Sequence, residues 1–271
     1  ADNVCFLDIR KETDLSALVA TIQPEWVFHL AAISNVKHSW EKREETLETN
    51  LTGTFNLFEA LRKHAPQARV LYVSSSDVYG VVSPATKALD EQHAVDPVNP
   101  YALTKIGGEI LCRFYSQIED LDIVIARPFS HTGPGQSPDF VCSDWAFQIA
   151  QIEKEHKKPQ IKVGNIDVKR DFLDVRDVVN AYILLMKKGE KGEIYNISSG
   201  NAISLREILT ILLSFSTEVI EIEVDPKRKR KIDIPLLVGD CQKFKRITSW
   251  EPNIPLSQSL HELLEHWRAH L

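Results

Sequence analysis

The chain has 271 residues, 43% hydrophobic and 26% charged, with 38 acidic side chains against 32 basic ones and a formal net charge of −6. That profile belongs to a globular chain long enough to bury a large core, and it excludes disordered and collagen-like classes. A net acidic surface offers no broad basic face to a phosphate backbone, so nucleic acid is not an expected partner. Apolar runs such as Ile208 to Leu213 fall far short of the roughly 20 residues that a membrane span needs, so no membrane partner is expected either. The four cysteines, Cys5, Cys112, Cys142 and Cys241, form no C-x-x-C pair, which points to a reducing cytoplasm.

In chain order, Leu15, Leu18, Val19 and Ile22 fall at i, i+3, i+4, i+7 and predict a helix. Trp26 to Ala32 is short and nearly continuous in apolar character, as a central parallel strand is. Leu47, Leu51, Phe55, Phe58 and Leu61 trace one stripe on a longer helix. Val70 to Val73, Asp122 to Ala126 and Glu193 to Ile197 read as further central strands, and the alternation of strands with helices predicts a doubly wound parallel α/β sheet. After Pro128 the rhythm loosens around one helical segment, Asp144 to Glu155. Later come a helix over Ser204 to Phe215, a basic run from Lys227 to Lys231, and a C-terminal helix over Ser257 to His270. The expected organisation is a Rossmann-like domain from residues 1–130 and 172–202, with a smaller lobe from 131–171 and 203–271.

Two segments carry chemistry. In Asn99-Pro-Tyr101-Ala-Leu-Thr-Lys105, Pro100 suits a first helical turn, and Tyr101 and Lys105 at i, i+4 share one face. An ammonium there is expected to stabilise the phenolate and lower the pKa of Tyr101, making it a usable acid/base; alone, the spacing also describes a solvent-facing pair. In Val70 to Gly80 an apolar strand runs into Ser74, Ser75, Ser76 and Asp77, hydroxyls that either serve a carbonyl substrate at a strand end or simply cap the next turn. The nine histidines supply no His/Cys cluster that predicts a metal site, and no G-x-S-x-G marks a serine hydrolase.

Taken together, Phe6-Leu-Asp8-Ile9-Arg10, His29-Leu-Ala-Ala32, Asn50-Leu-Thr-Gly-Thr54, Ser74 to Gly80, Tyr101-x-x-x-Lys105, Arg127-Pro-Phe129 and Arg170-Asp-Phe172 resemble the extended short-chain dehydrogenase/reductases, the nucleotide-sugar epimerase, dehydratase and reductase group. The resemblance covers essentially the whole chain. It implies Ser75, Tyr101 and Lys105 as the catalytic triad, with Asp77 where the dehydratases of the group carry a Glu base. It further implies that NADP(H) or NAD(H) meets Asp8, Ile9, Leu30, Ala31, Ala32, Thr49, Tyr101, Lys105 and Phe129. One departure is large: no G-x-G-x-x-G or G-x-x-G-x-x-G occurs, and Gly133-Pro-Gly135 lacks a third glycine. Because Asp8 matches the end of the family's third strand, the first strand, its helix and the second strand are expected to be missing from this sequence.

Within the family, the stretch from Arg127 to Gln136, then Phe140-Val141, Lys162-Val-Gly-Asn165 and Arg170 to Phe172, resembles enzymes of GDP-6-deoxyhexose formation. This implies a GDP-sugar substrate held by Ser76, Ser130, Phe140, Val141, Lys162, Arg170, Arg230 and Asp233. Arg170 and Arg230 would meet the diphosphate, as planar guanidinium groups make bidentate bonds to such anions. Ser130 stands where Asn is usual, and Asp233 where Glu is. The expected reaction is reduction of the 4-keto group of a GDP-4-keto-6-deoxyhexose to a GDP-6-deoxyhexose such as GDP-D-rhamnose. The alternatives are a GDP-mannose 4,6-dehydratase, another nucleotide-sugar epimerase, or a non-catalytic dinucleotide-binding protein. A homodimer is expected from the same resemblance, through the helices around Leu47 to Leu61 and Ile106 to Leu111.

Overall fold

A computed structural model describes residues 4–83, 88–155, 158–228 and 232–271. In chain order the helices are α1 (Glu12–Ile22), α2 (Val36–Glu41), α3 (Arg43–Leu47), α4 (Gly53–His64), α5 (Pro100–Gln117), α6 (Val141–Glu155), α7 (Val175–Lys188), α8 (Leu205–Ser214), α9 (Gln242–Thr248) and α10 (Leu256–His270). The strands are β1 (Trp26–His29), β2 (Arg69–Val73), β3 (Asp122–Pro128), β4 (Ser130–Thr132), β5 (Gln160–Val163), β6 (Lys169–Asp174), β7 (Ile194–Ile197), β8 (Ala202–Ser204), β9 (Glu221–Val224) and β10 (Leu236–Leu237). They form two compact units, one from Ala1–Gly80, Ala94–Arg127 and Tyr182–Tyr195, the other from Val81–His93, Pro128–Ala181 and Asn196–Leu271.

The first unit is built on a sheet of order β1-β2-β3-β7, with β1 parallel to β2 and β2 parallel to β3. Its core joins Leu15 and Val19 of α1, Phe58 and Leu61 of α4, Val70 and Tyr72 of β2, Cys112 and Tyr115 of α5, and Ile123 and Ile125 of β3. The predicted strands at 70, 122 and 193 are in place, and α1 buries Leu15 and Val19 as its periodicity requires. Strand β1 differs from expectation: it ends at His29, not Ala32, and it is an outer strand among the described residues, with Trp26 and Phe28 exposed.

The apolar stripe over 47–61 also differs. A π turn, Glu48–Thr52, interrupts the helix between α3 and α4. Phe58 and Leu61 are buried, whereas Leu47 and Phe55 stand exposed and the polar Asn50 is buried in the stripe's place. The π turn widens the backbone ring by one residue and rotates everything before it relative to everything after it. Asn50 explains why the turn holds: its side chain receives the N–H of Ile33 at 2.8 Å and donates to the Ile33 carbonyl at 3.1 Å and to the Thr104 hydroxyl at 2.9 Å.

The second unit packs α6, α8 and α10 into an apolar core containing Trp145, Ile149, Ile208, Leu209, Leu212, Leu260 and Leu263. Helix α8 starts on a capping box, the Ser204 hydroxyl accepting the N–H of Glu207 while the Glu207 carboxylate accepts from the Ser204 backbone. Residues 131–171, expected to hold one helix among loops, carry strands as well. Strand β6 pairs with β4 and β10 in parallel and with β8 antiparallel, and β5 pairs in parallel with β9. These strands have two to six residues and distant partners, so no hairpin pattern announces them.

Candidate active site

Strand β2 ends where the site begins. Ser75 keeps an extended backbone (φ −161°, ψ 151°) and its hydroxyl caps the 3-10 turn Ser76–Tyr79, accepting the Asp77 N–H at 3.1 Å. Gly80 closes that turn at φ +65°, and a Cβ there would lie 1.8 Å from the Asp96 carbonyl oxygen, so no other residue fits. Helix α5 supplies the opposing wall. Its N-cap Asn99 accepts the Ala102 N–H at 2.8 Å and Pro100 occupies the first turn, which fixes Tyr101 in that turn. The Tyr101 N–H is taken by the Ser39 hydroxyl at 3.2 Å.

The structure brings Ser75, Asp77, Tyr101 and Lys105 together. Ser75 and Asp77 are both near enough to act on the Tyr101 phenol, Asp77 through its charge. Lys105 is buried, donates to the Val73 carbonyl at 2.7 Å, and lies 5.3 Å from the Tyr72 ring centroid and 5.7 Å from that of Tyr101. Burial pushes the Lys105 ammonium down to about 8, with Cys112 and Glu109 opposing the shift.

One expectation is overturned. Lys105 does not bring the Tyr101 phenol below its ordinary value. Burial first, then the Asp77 charge, hold it well above that value, and only the nearby Ser75 hydroxyl works the other way. Tyr101 is therefore a protonated phenol at neutral pH, suited to giving a proton to a developing alkoxide.

The expected cofactor-lining residues fall into several places. Asp8 is bound bidentately by Arg10 at 2.7 to 3.0 Å, and these hydrogen bonds hold its carboxyl down to about 2. Ile9 packs against Gly53 at the start of α4, where a Cβ would lie 2.5 Å from the Ile9 side chain, and its carbonyl accepts from Asn56 at 3.1 Å. Leu30 and Ala31 are exposed just beyond β1, with Ala32 half-buried, and Thr49 lies half-buried in the π turn. Behind them His29 is buried and bonded to the Thr54 hydroxyl at 2.8 Å, its pKa lowered to about 3 by burial first and Lys105 second. Ser75, Tyr101 and Lys105 thus gather two hydroxyls and an ammonium, and Asp8 sits in an anchored acidic turn. The diphosphate has no glycine-rich cradle in this sequence.

The expected substrate residues, apart from Ser76, belong to the second unit. Ser76 itself is buried in the 3-10 turn. Phe129, expected to line the cofactor, also falls in the second unit, buried, its ring filling the space beside Gly239, where a Cβ would lie 2.5 Å away. Ser130 opens β4 opposite Phe172, the Phe140 carbonyl accepts the Asp144 N–H at 2.8 Å, and Val141 starts α6. Lys162 is exposed on β5, and Arg170 is buried on β6 with Nη1 donating to the Lys169 carbonyl at 2.8 Å. Asp233 accepts from Asn165 at 2.9 Å. Arg230 lies outside the described residues.

Sequence reasoning missed two charged residues. Glu109 and Arg127 form a buried bidentate ion pair at 2.7 and 2.8 Å. The available signal was that Glu109 lies four residues after Lys105 on α5. The i, i+4 pair His266 and His270, stacked 4.2 Å apart, also escaped the reading of the histidines, but no group of three metal-binding side chains exists among the described residues.

The family model for GDP-mannose 4,6 dehydratase matches residues 3–263. The chain belongs to that family. It is 38% identical over 246 residues to GDP-6-deoxy-D-mannose reductase of Pseudomonas aeruginosa, covering 91% of this chain and 81% of the relative. Its structure superposes on that of RMD from Pseudomonas aeruginosa complexed with NADPH at a TM-score of 0.93 and 35% identity, over 100% of this chain and 90% of the other. It also matches the NAD complex of Thermus thermophilus UDP-glucose 4-epimerase, with a TM-score of 0.87 and 25% identity over 98% and 84% of the two chains. The GDP-mannose 4,6 dehydratase family and its neighbours thus include reductases, dehydratases and epimerases of nucleotide sugars, with NADPH or NAD bound in solved members. No helix among the described residues is long and apolar enough to cross a membrane.

Proposed function

We propose that this chain reduces the 4-keto group of a GDP-4-keto-6-deoxyhexose to a GDP-6-deoxyhexose such as GDP-D-rhamnose, using NADPH or NADH. The observation that carries this reading is the Lys105 ammonium 5.7 Å from the Tyr101 ring centroid, with Ser75 beside the phenol, in a chain 38% identical to a GDP-6-deoxy-D-mannose reductase. When bound, the reduced dinucleotide supplies hydride. Ser75 donates a hydrogen bond to the sugar oxygen as negative charge grows there, and Tyr101 hands that oxygen its proton. Ser75 then stabilises the phenolate left on Tyr101, and Lys105 serves a ribose hydroxyl.

Around that group, Asp8, Ile9, Leu30, Ala31, Ala32, Thr49 and Phe129 line the cofactor. Phe140, Val141, Lys162, Arg170, Arg230 and Asp233 receive the GDP-sugar in a lobe of residues 131–171 and 203–271, joined by Ser76 and Ser130. Exposed apolar residues on α4 and α5, Phe55, Leu103, Ile110 and Phe114, support a homodimer through those helices.

The test is loss of the cofactor's near-ultraviolet absorbance when the protein meets GDP-4-keto-6-deoxymannose and NADPH, with identification of the sugar product. Tyr101→Phe is expected to lower turnover by ~1000-fold with an unchanged fold. An active, well-folded Tyr101→Phe variant overturns the assignment. The position of Asp77 beside Tyr101 favours a second reading, a 4,6-dehydratase. On that reading GDP-mannose and oxidised cofactor yield a keto sugar, and Asp77→Asn abolishes it.

A further inference from the structure

We propose that Glu109 is a positioning residue for Ser75, Tyr101 and Lys105: gripped by Arg127, it fixes the end of β2 immediately before Ser75 and places a buried negative charge one helical turn from the Lys105 ammonium. This inference rests on the catalytic reading of those three residues.

Lys105 and Glu109 lie at i, i+4 on α5, and both are buried. They hold consecutive residues of one strand end. The Lys105 ammonium donates to the Val73 carbonyl at 2.7 Å, and the Ser74 hydroxyl donates to Glu109 Oε1 at 2.5 Å. The next residue is Ser75. Glu109 is itself held from β3, where Arg127 Nε donates to Oε1 at 2.8 Å and Nη2 to Oε2 at 2.7 Å. The remaining guanidinium nitrogen, Nη1, donates to the Tyr79 hydroxyl at 3.0 Å, and the guanidinium carbon lies 5.0 Å from that ring's centroid. Tyr79 ends the 3-10 turn that Ser75 begins. The ion pair thus pins both ends of the turn carrying Ser75 and Asp77, and pins them to the helix carrying Tyr101.

A need for stability does not account for such a pair. Taking two charges out of water costs about what their attraction returns, and apolar residues of equal volume commonly serve as well or better. What the pair adds is directed geometry and a charge. The groups facing Lys105 include Tyr101, Glu109 and Cys112 from α5, Tyr72 from β2 and His29 from β1, with Arg127 of β3 reaching it through Glu109. Of these, Cys112 and Glu109 favour the charged ammonium against burial, which otherwise drives Lys105 toward the neutral amine, and Glu109 is the carboxylate among them.

Two variants test the proposal in the full chain, Glu109→Gln and the paired apolar replacement Glu109→Leu with Arg127→Met. The first readout needs no substrate: the titration of the Lys105 amine followed by NMR of ¹⁵N-lysine-labelled protein, assigned with Lys105→Arg. In both variants the titration is expected to move down by ~1 pH unit from its position in the parent. The second readout is turnover in the keto-sugar assay, expected to fall about tenfold in kcat with KM nearly unchanged. Ser74→Ala is expected to lower kcat without moving the Lys105 titration, and to add nothing to Glu109→Gln. Should Glu109→Gln fail to fold, the paired variant decides. A paired variant that melts like the parent and keeps both the parental Lys105 titration and kcat overturns the proposal. Failure of the parent itself to reduce the keto sugar overturns the reaction assignment, while the Lys105 titration still decides the role of Glu109.

Discussion

The two units bury charge for different ends. In the first, His29, Lys105, Glu109 and Arg127 are all buried, and they act on one another and on the Ser75–Tyr101 pair. In the second, the buried carboxylates are spent on the backbone. Asp171 accepts from Ser199 N and Oγ, Gly200 N and Gly239 N at 2.7 to 3.2 Å. Asp177 accepts the N–H groups of Asn253 and Ile254, both at 3.0 Å; Asp174 is the exception, paired bidentately with the Arg176 guanidinium at 2.8 and 2.9 Å. The lesson is that a buried acid among cations sets protonation states, whereas a buried acid among amides fastens loops. Identical side-chain chemistry serves reactivity in one place and shape in the other.

The sharpest way to break this contrast is Asp171→Ala. Removing a fully buried acceptor strands three backbone N–H groups, and the variant should lose about 4 kcal/mol of stability with no specific loss of turnover in the molecules that remain folded. Thermal melting together with activity per folded protein checks it. Unchanged melting would remove the fastening role, and a selective drop in kcat would blur the distinction between the units.

His29 gives the next largest effect, from the first unit. Its folded pKa, about 3, lies below the ordinary 6.5, so below pH 6.5 the unfolded chain binds a proton that the folded chain refuses. The stability that neutral His29 contributes is complete above pH 6.5 and is lost as pH falls from there toward 3. Between pH 7 and pH 4 the loss amounts to about 3 kcal/mol, and urea unfolding at the two pH values measures it. His29→Gln, which cannot titrate, should flatten that dependence, and equal slopes in parent and variant would refute the linkage.

The smallest effect sharpens the picture of the second unit. Ser204→Ala removes the capping box of α8 and is expected to cost about 1 kcal/mol, read as a modest fall in melting temperature. A much larger fall would mean that Ser204 supports more than its own helix, through its place on β8.

Much of the fold was legible because its signals are local. The strands at 70, 122 and 193 are short apolar runs, Pro100 suits the first turn of α5, and the helix expected over Ser204 to Phe215 is α8. The strand end at Ser74 to Ser76 and the Tyr101–Lys105 spacing were visible as local patterns, while the choice of Ser75 came from the family resemblance. What was hidden depends on partners remote in sequence. Strands β4, β5 and β6 are defined by neighbours elsewhere, and Arg127 and Glu109, which pair in the fold, are 18 residues apart in the chain. The phenol of Tyr101 was misjudged for a related reason: the spacing to Lys105 is visible in the sequence, but the burial that outweighs it, and the reach of Asp77, are not.

The π turn at Glu48–Thr52 has a consequence for how this chain is counted. An uninterrupted α-helix from 43 to 64 needs one residue fewer to cover the same path, so the segment carries an insertion that its hydrogen bonding has absorbed. Numbering schemes that treat the segment as one straight helix will therefore assign α3 and α4 to different phases, and a design that idealises it must delete a residue and give up Asn50, whose amide ties Ile33 to Thr104.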